Sequence, residues 1–113
     1  MIESFSFGRM VVNGKTYNND LIIYPDGRIE TPWWRQSGHR LTVDDIDALI
    51  ASNPDAIVAG TGVNGLMKPD KILEKELLQK GIQFVAEKNQ TAVDHYNRLI
   101  KDMRVGACFH LTC

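Results

Sequence analysis

The stretch Asp55-Ala-Ile-Val-Ala-Gly-Thr-Gly-Val-Asn-Gly-Leu-Met67 decides the fold. Its apolar run, residues 56–59, has the length of a buried strand and is followed by glycines at Gly60, Gly62 and Gly65. We therefore predict a central strand that ends in a loop. Glycines permit positive φ and close approach to bare backbone, so the amide groups of such a loop can converge on an electron-rich group. The loop is the first candidate ligand site.

Regular elements are predicted on both sides of this strand. Asn13-Gly14 lies between apolar runs and predicts a type I′ turn, so the first thirty residues read as an antiparallel meander of three strands. Thr42, with an acid three residues later, predicts the start of a helix that ends near Asn53-Pro54. The later elements are predicted at 69–80 (a helix with Pro69 in its first turn, stopped by Gly81), 82–86 (a strand), 91–103 (a helix) and 104–111 (a strand). The order β-β-β-α-β-α-β-α-β predicts one α/β domain over residues 1–113, a sheet with helices packed on it.

Composition excludes several classes of protein. Hydrophobic residues make up 43% and charged residues 24%, which is ordinary globular usage. The formal net charge of -1 gives no electrostatic footprint for nucleic acid or for an anionic membrane, so we expect neither partner. We find no secretory leader pattern and no apolar run of membrane-spanning length, and the sparse cysteines fit a reducing compartment. The expected location is the cytoplasm.

The glycine loop also fits a dinucleotide fingerprint. Gly60-Thr-Gly-Val-Asn-Gly65 matches G-x-G-x-x-G after a predicted strand, and Glu87 lies where a ribose-binding acid would fall. In that fingerprint a helix begins directly after the second glycine, whereas residues 66–69 delay the predicted helix here. Only one further helix and one strand are predicted after Glu87, too few for the usual doubly wound domain. Three interpretations stay open: a dinucleotide site, a plain tight loop, and a site for a smaller anionic ligand held by backbone amides.

Cys108-x-His110-x-x-Cys113 contains residue types that bind zinc. On a strand, Cys108 and His110 point one way and Cys113 the other, and the chain has no further cysteine. We therefore predict no metal site, and no cofactor.

The irregular segment 32–40 holds the remaining candidates. His39 has the side chain whose pKa lies nearest neutrality, but no serine or cysteine nucleophile can be paired with it, so no catalytic residue is predicted. Trp33 and Trp34 alternate in an extended segment, so both rings are not easily buried together. Tryptophan and arginine are frequent anchors of contact surfaces, and Trp33, Trp34 and Arg35 are therefore the candidate interface with a protein partner or a second copy.

Several of these residues recur in a known family. The chain resembles a family of small uncharacterised domains typified by a methanogen hypothetical protein, which includes the adipogenesis-associated domain protein and mitochondrial complex I assembly factor three. The resemblance covers nearly the whole chain, and the short archaeal-type members are nearest in length. It implies a three-layer arrangement around a mixed central sheet, adaptor or assembly roles in some eukaryotic relatives, and no established activity. It rests on Phe7-Gly8, Tyr17, Asp20-Leu-Ile, the tryptophan and Gly38-His39 region, Gly60-Thr61-Gly62, Gly81-Ile82, Thr91-x-x-Val93, Tyr96-Asn97 and His110-Leu-Thr-Cys113.

Two functional hypotheses follow. The leading one is a non-enzymatic interaction or adaptor domain with a small pocket where the glycine loop meets the His39-Arg40 loop. The rival is an enzyme or sensor for a small anionic ligand, with loop donors and Arg40 as the counter-charge. The candidate ligand-binding residues are Gly60, Thr61, Gly62, Asn64, Gly65, His39 and Arg40.

Overall fold

The computed structural model describes residues 1–113. Its elements are β1 (Ile2–Ser6), β2 (Arg9–Val12), β3 (Lys15–Tyr17), β4 (Leu21–Ile23), β5 (Ile29–Glu30), β6 (Arg40–Leu41), α1 (Asp47–Ala51), β7 (Ala56–Gly60), β8 (Lys68–Pro69), α2 (Lys71–Gln79), β9 (Gln83–Glu87), α3 (Asn89–Leu99) and β10 (Val105–Phe109).

The central sheet has five strands in the order β5-β4-β10-β7-β9. β10, β7 and β9 run parallel, whereas β4 and β5 join antiparallel, so the sheet is mixed. Every residue of β7 is buried, because the strand is covered on both faces: Val58 packs into one apolar cluster and its neighbour Ile57 into another. The predicted α/β class and the predicted central strand are confirmed.

Different elements cover the two faces of this sheet. One cluster joins the central strands to α3 and to the three-stranded sheet β1-β2-β3, through residues such as Met10 and Tyr96. The other joins them to α1, α2 and the ring of Trp33. The result is the mixed sheet between two outer layers, one of them partly β, that the family resemblance implied.

The N-terminal meander is confirmed only as far as β3. Asn13 and Gly14 have φ of 49° and 80°, as a type I′ turn requires, and β1, β2 and β3 pair antiparallel. β4 then leaves this sheet and pairs with β10. The predicted single meander over thirty residues is wrong here because Leu21–Ile23 is apolar on both faces, and such a strand must be covered on both sides.

Two predicted helices begin later than expected. Residues 44–46 form a 3-10 turn before α1, and the carboxylate of Asp45 accepts from both the backbone N–H and the hydroxyl of Thr42. Only the acidic half of the expected capping pair therefore forms, because the Thr42 hydroxyl bonds Asp45 and caps no backbone N–H. Pro69 lies in β8, which pairs with β6, and α2 starts two residues further on. Gly81 has φ of 73° directly after the end of α2, as expected of a helix stop.

Candidate functional site

Several polar residues lie together at the carboxyl ends of the parallel strands. The glycine loop follows β7, His110 follows β10, and Asn89 opens the helix after β9. Asp20 joins them because β4, which it precedes, runs antiparallel to β10. This is the edge at which open α/β sheets bind ligands. The largest cleft, about 480 Å³, lies elsewhere, between α1 and α2 near Asn53 and Ile82, at the amino ends of the same strands.

The glycine loop is a packed junction rather than the expected open cradle of amides. The N–H of Thr61 donates to the carbonyl of Glu87 (2.9 Å), and that of Gly62 donates to Oδ1 of Asn89 (3.0 Å). Val63 N–H donates to the carbonyl of Thr112 (2.7 Å). These three donors are therefore committed within the chain, because buried amides need partners and find them here.

Two further observations explain why the loop needs glycine. Asn89 is fully buried, and its Nδ2 donates to the carbonyl of His110 at 2.8 Å, so one side chain ties the glycine loop to the end of β10. Gly62 has φ of 107°, and a methyl group at this position would overlap the backbone of Cys113. At Gly60 a methyl group would overlap the ring of Phe109. The groups that come close to these two glycines therefore belong to the chain itself.

The remaining members of the predicted ligand site lie at two separate places. Asn64 is exposed, whereas Gly65 is buried against the side chain of Lys88. His39 is exposed and does meet this edge, with its ring centroid 6.0 Å from that of His110. Arg40 is directed to the surface, where its guanidinium binds Asp70 through contacts of 2.7 and 2.9 Å. Arg40 therefore does not supply a counter-charge to the glycine loop.

The predicted interface residues divide between the interior and the surface. Trp33 is buried and its Nε1 donates to the carbonyl of Asp45 at 2.9 Å. The side chain of Arg35 is only 4% exposed, and its guanidinium carbon lies 4.6 Å from the Trp33 ring centroid. Trp34 is 81% exposed. Of the three, only Trp34 offers its ring to a partner.

A buried charged network lies beside this segment, and sequence reasoning missed it as a site. Oδ2 of Asp20 accepts from Nη1 of Arg35 and lies 2.8 Å from Nδ1 of His110, while Oδ1 accepts from Leu111 N–H at 2.7 Å. Nη2 of Arg35 also donates to the carbonyl of Gly38 at 2.9 Å. The network joins the start of β4, the 32–40 segment and the end of β10.

Electrostatics fix the charge state of Asp20. Burial alone would raise the pKa of its carboxyl, but the hydrogen bonds from His110, the Leu111 amide and Arg35 outweigh burial, and the pKa lies below its ordinary value. Nδ1 of His110 lies 2.8 Å from Oδ2 of Asp20 and 3.0 Å from Nη2 of Arg35. Because an ionised carboxylate can only accept, and Nη2 of Arg35 already donates to the carbonyl of Gly38, we assign the proton to Nδ1 of His110. Nε2 is then the acceptor, with the Thr112 hydroxyl 3.5 Å away.

The sequence of the chain also identifies its family. A family model described as "Protein of unknown function (DUF498/DUF598)" matches residues 2–110. The chain belongs to the DUF498/DUF598 family. The resemblance to a family of small uncharacterised domains is thereby confirmed at the level of the family.

Relatives of this DUF498/DUF598 domain include proteins with membrane names. The chain is 28% identical over 102 residues to the "13 kDa major membrane protein" of Francisella tularensis subsp. holarctica (strain LVS), covering 89% of this chain and 81% of that protein. A conserved hypothetical protein from Pyrococcus horikoshii OT3 is 25% identical, with a TM-score of 0.84 over 100% of this chain and 99% of the other. An outer membrane protein from Bartonella henselae, 22% identical, shares the fold with a TM-score of 0.79 over 99% and 94% of the two chains. None of the helices described here has the length and apolar character needed to span a bilayer.

Exposed apolar residues lie in the segments that adjoin residues 111–113 of this DUF498/DUF598 domain. The N–H of Gly8 donates to the carbonyl of Leu111, and the N–H groups of Val63 and Leu66 donate to the carbonyls of residues 112 and 113, so the turn at Gly8 and the glycine loop both bond to residues 111–113. Trp34 lines a cavity of about 290 Å³ together with Leu111 and Thr112. We call the exposed residues that lie around residues 111–113 the apolar rim: Phe7, Trp34, Val63 and Leu66.

The cysteines and His110 are the side chains of this DUF498/DUF598 domain whose chemistry depends most on burial. Both cysteines are free thiols; burial raises the pKa of the Cys108 thiol to about 12, so it stays protonated and unreactive. No cluster of three or more His, Cys, Asp or Glu side chains is arranged to hold a metal ion. His110 is buried, and its accepting nitrogen faces only the Thr112 hydroxyl at the limit of hydrogen-bond distance. Asp20 and Arg35 link the start of β4, the 32–40 segment and the end of β10.

Proposed function

We propose that this chain is a non-enzymatic interaction domain that binds an extended segment of a protein partner at the apolar rim. The observation that carries the proposal is the display of Trp34, whose ring is 81% exposed. Its two neighbours are fixed in the interior: Trp33 by its core packing and its bond to Asp45, Arg35 by the ion pair with Asp20. The backbone on both sides of Trp34 is therefore fixed, so binding a partner would cost little conformational entropy in this segment.

The surroundings of Trp34 suit a polypeptide. The adjoining cavity of about 290 Å³ has room for a side chain, and beside Trp34 its lining includes the exposed residues Asn18 and Asn19. Their side-chain amides can bond the backbone of an extended segment, while the tryptophan supplies the apolar contact that typically dominates binding energy. The resemblance described above implies adaptor or assembly roles in some eukaryotic relatives, and the adaptor role among them agrees with this proposal. We place the domain in the cytoplasm.

Trp34→Ser is expected to remove binding without affecting folding. A display library of random peptides selected on the wild-type domain should yield ligands whose dissociation constant rises about 30-fold or more on Trp34→Ser, the effect of losing a hot-spot tryptophan. The free energy of unfolding should change by no more than about 0.5 kcal/mol, because the ring is solvated. Leu78→Ser is the matched control: Leu78 is 79% exposed but lies on α2.

Two outcomes would contradict the proposal. One is a set of peptides that bind wild type and Trp34→Ser equally. The other is binding to vesicles of phosphatidylcholine and phosphatidylglycerol that Trp34→Ser abolishes, since the rim would then be a membrane contact, in keeping with the name of the Francisella relative. We favour a protein because the net charge of -1 gives no attraction to anionic lipid.

The alternative function is an enzyme or sensor for a small anionic ligand at the glycine loop. Its support is a cleft of about 360 Å³ lined by Thr61, Gly65 and the side chains of Lys68 and Lys88. Two acidic residues of the same cleft, Glu74 and Glu87, balance those lysines, and the amides of Thr61 and Gly62 are committed within the chain. A dinucleotide has less support still, because α2 begins nine residues after Gly62 instead of directly after the loop.

A thermal-shift screen separates the two functions. We expect no stabilisation from nucleotides, sugar phosphates or small carboxylates, because the amides of Thr61 and Gly62 are committed within the chain and Glu74 and Glu87 balance the lysines of the cleft. A ligand present at a hundred times its dissociation constant would add about 2.7 kcal/mol to the free energy of unfolding, which such a screen detects easily. A shift from any one class that Lys88→Ala removes would favour the ligand-binding function over the adaptor.

A further inference from the structure

β9 is an open edge of the central sheet. It pairs with β7 on one side and with no strand on the other. The N–H of Gln83 and the C=O of Glu87 both bond toward the β7 side. Because backbone groups alternate along a strand, Phe84 and Ala86 direct their N–H and C=O groups away from the sheet. All five residues of β9 are exposed or half-buried, whereas those of β7 are all buried.

The other sheet edges carry features that prevent pairing with a foreign strand. β5 and the β6-β8 pair are two residues long, and β8 contains Pro69. β3 has three residues and begins with Lys15, and β1 has an irregular register between Ile2 and Ser4. Short length, lysine, proline and bulges are the usual protections of an edge. β9 has none of them: its five residues keep a continuous register and contain neither lysine nor proline.

We infer that β9 pairs with the β9 of a second copy of this chain, antiparallel about a two-fold axis at Val85. This register places Phe84 opposite Ala86 of the other copy, so every outward N–H of the two residues meets an outward C=O. Moving the axis to Phe84 would place Ala86 opposite Ile82, whose N–H already donates to the carbonyl of Leu77. The register at Val85 therefore pairs the outward N–H and C=O groups of both Phe84 and Ala86, whereas an axis at Phe84 does not.

The side chains of β9 are complementary to themselves in this register. The large ring of Phe84 faces the small Ala86, and the β-branched Val85 faces its own copy. Gln83 faces Glu87, so an amide donor meets a carboxylate and no like charges oppose each other. The sequence Gln-Phe-Val-Ala-Glu is therefore complementary to itself when two copies pair antiparallel, which is why a second copy fits this edge. The pairing lies on β9, separate from the rim around Trp34.

Charge changes at the exposed ends of β9 test the pairing. Sedimentation equilibrium should show wild type in a monomer–dimer equilibrium. Gln83→Glu sets a like charge against Glu87 at both ends of the contact, and the dimer dissociation constant should rise about fivefold. Adding Glu87→Lys to that variant should restore the dimer, because opposite charges then face each other. Both side chains are exposed, so the fold should be unchanged, as circular dichroism and chemical unfolding would confirm.

A backbone change gives an independent test. Ala86→Pro removes an outward N–H, the side of an edge strand on which proline is tolerated, and should raise the dissociation constant by about tenfold or more. Trp34→Ser should leave the dimer unchanged, so failure here and failure of the proposed function are distinguishable. A wild-type chain that stays monomeric up to about 1 mM would overturn the inference. So would a dimer whose constant is the same in Gln83→Glu, the double variant and Ala86→Pro.

Discussion

Asp20→Ala is expected to lower the free energy of unfolding by about 3–5 kcal/mol, as measured by chemical denaturation. The carboxylate accepts from Arg35, His110 and the Leu111 amide, and its removal leaves a guanidinium that is only 4% exposed without its counter-charge. A guanidinium with so little exposure is poorly hydrated, so the loss of its counter-charge is costly. The loss is therefore larger than that of an ordinary surface ion pair, which contributes up to about 1 kcal/mol.

The chain contains a matched control for this prediction. Arg40 and Asp70 form a similar pair, with contacts of 2.7 and 2.9 Å, but the Arg40 side chain is 62% exposed. Asp70→Ala should cost only about 1 kcal/mol, including the loss of its charge at the start of α2. Combining Asp20→Ala with Arg35→Met should cost less than the sum of the two single changes, because the second removes the unpaired charge. Equal losses for Asp20→Ala and Asp70→Ala would show that the buried network does not stabilise the fold.

Acid titration tests the charge state of Asp20, because the direction of its pKa shift determines how stability changes with pH. The pKa of Asp20 is lower in the folded chain than its ordinary value, so its contribution to stability is fully present above about pH 5. The contribution is lost as the pH falls through the lowered folded pKa. Asp20→Asn should therefore show a shallower loss of stability between neutral and acid pH than wild type, even though it is less stable at neutral pH. An identical slope in both proteins would contradict the assigned charge state.

Local sequence signals predicted the elements well where one signal decides the conformation. Asn13-Gly14 gives a two-residue turn with positive φ at both positions, and Gly81 ends its helix. The same signals could not decide to which sheet a strand belongs. β4 follows β3 closely in sequence, but its pairing with β10 depends on burial of both its faces by distant elements. Neighbours in sequence were therefore assigned to one meander although they belong to two sheets.

At the candidate site, too, the sequence predicted local features but not the contacts between distant segments. Sequence reasoning indicated that the two tryptophan rings would not share one environment, but which ring is buried depends on the bond from Trp33 to Asp45. Asp20 and His110 are ninety positions apart and carry no shared motif, so their contact is a product of the β4-β10 pairing. The glycines were correctly placed after the central strand. Their spacing indicates that something approaches the backbone closely, and it does not say whether that is a ligand or the chain itself.

Gly62→Ala distinguishes those two possibilities, and we expect it to lower the free energy of unfolding by about 2–5 kcal/mol. A residue with a side chain is strained at φ of 107°, which costs about 1–3 kcal/mol, and the added methyl group overlaps the backbone of Cys113, which cannot rotate away as a side chain would. Gly8→Ala separates the two causes, because Gly8 has φ of 75° with open space around it and should cost only about 1–2 kcal/mol. Gly38→Ala, with neither strain nor overlap, should leave stability unchanged or slightly raised. If the loop were instead an open ligand site, Gly62→Ala would cost no more than Gly8→Ala, which measures the strain of positive φ alone, and it would also lose ligand binding because the methyl group would occupy the empty site.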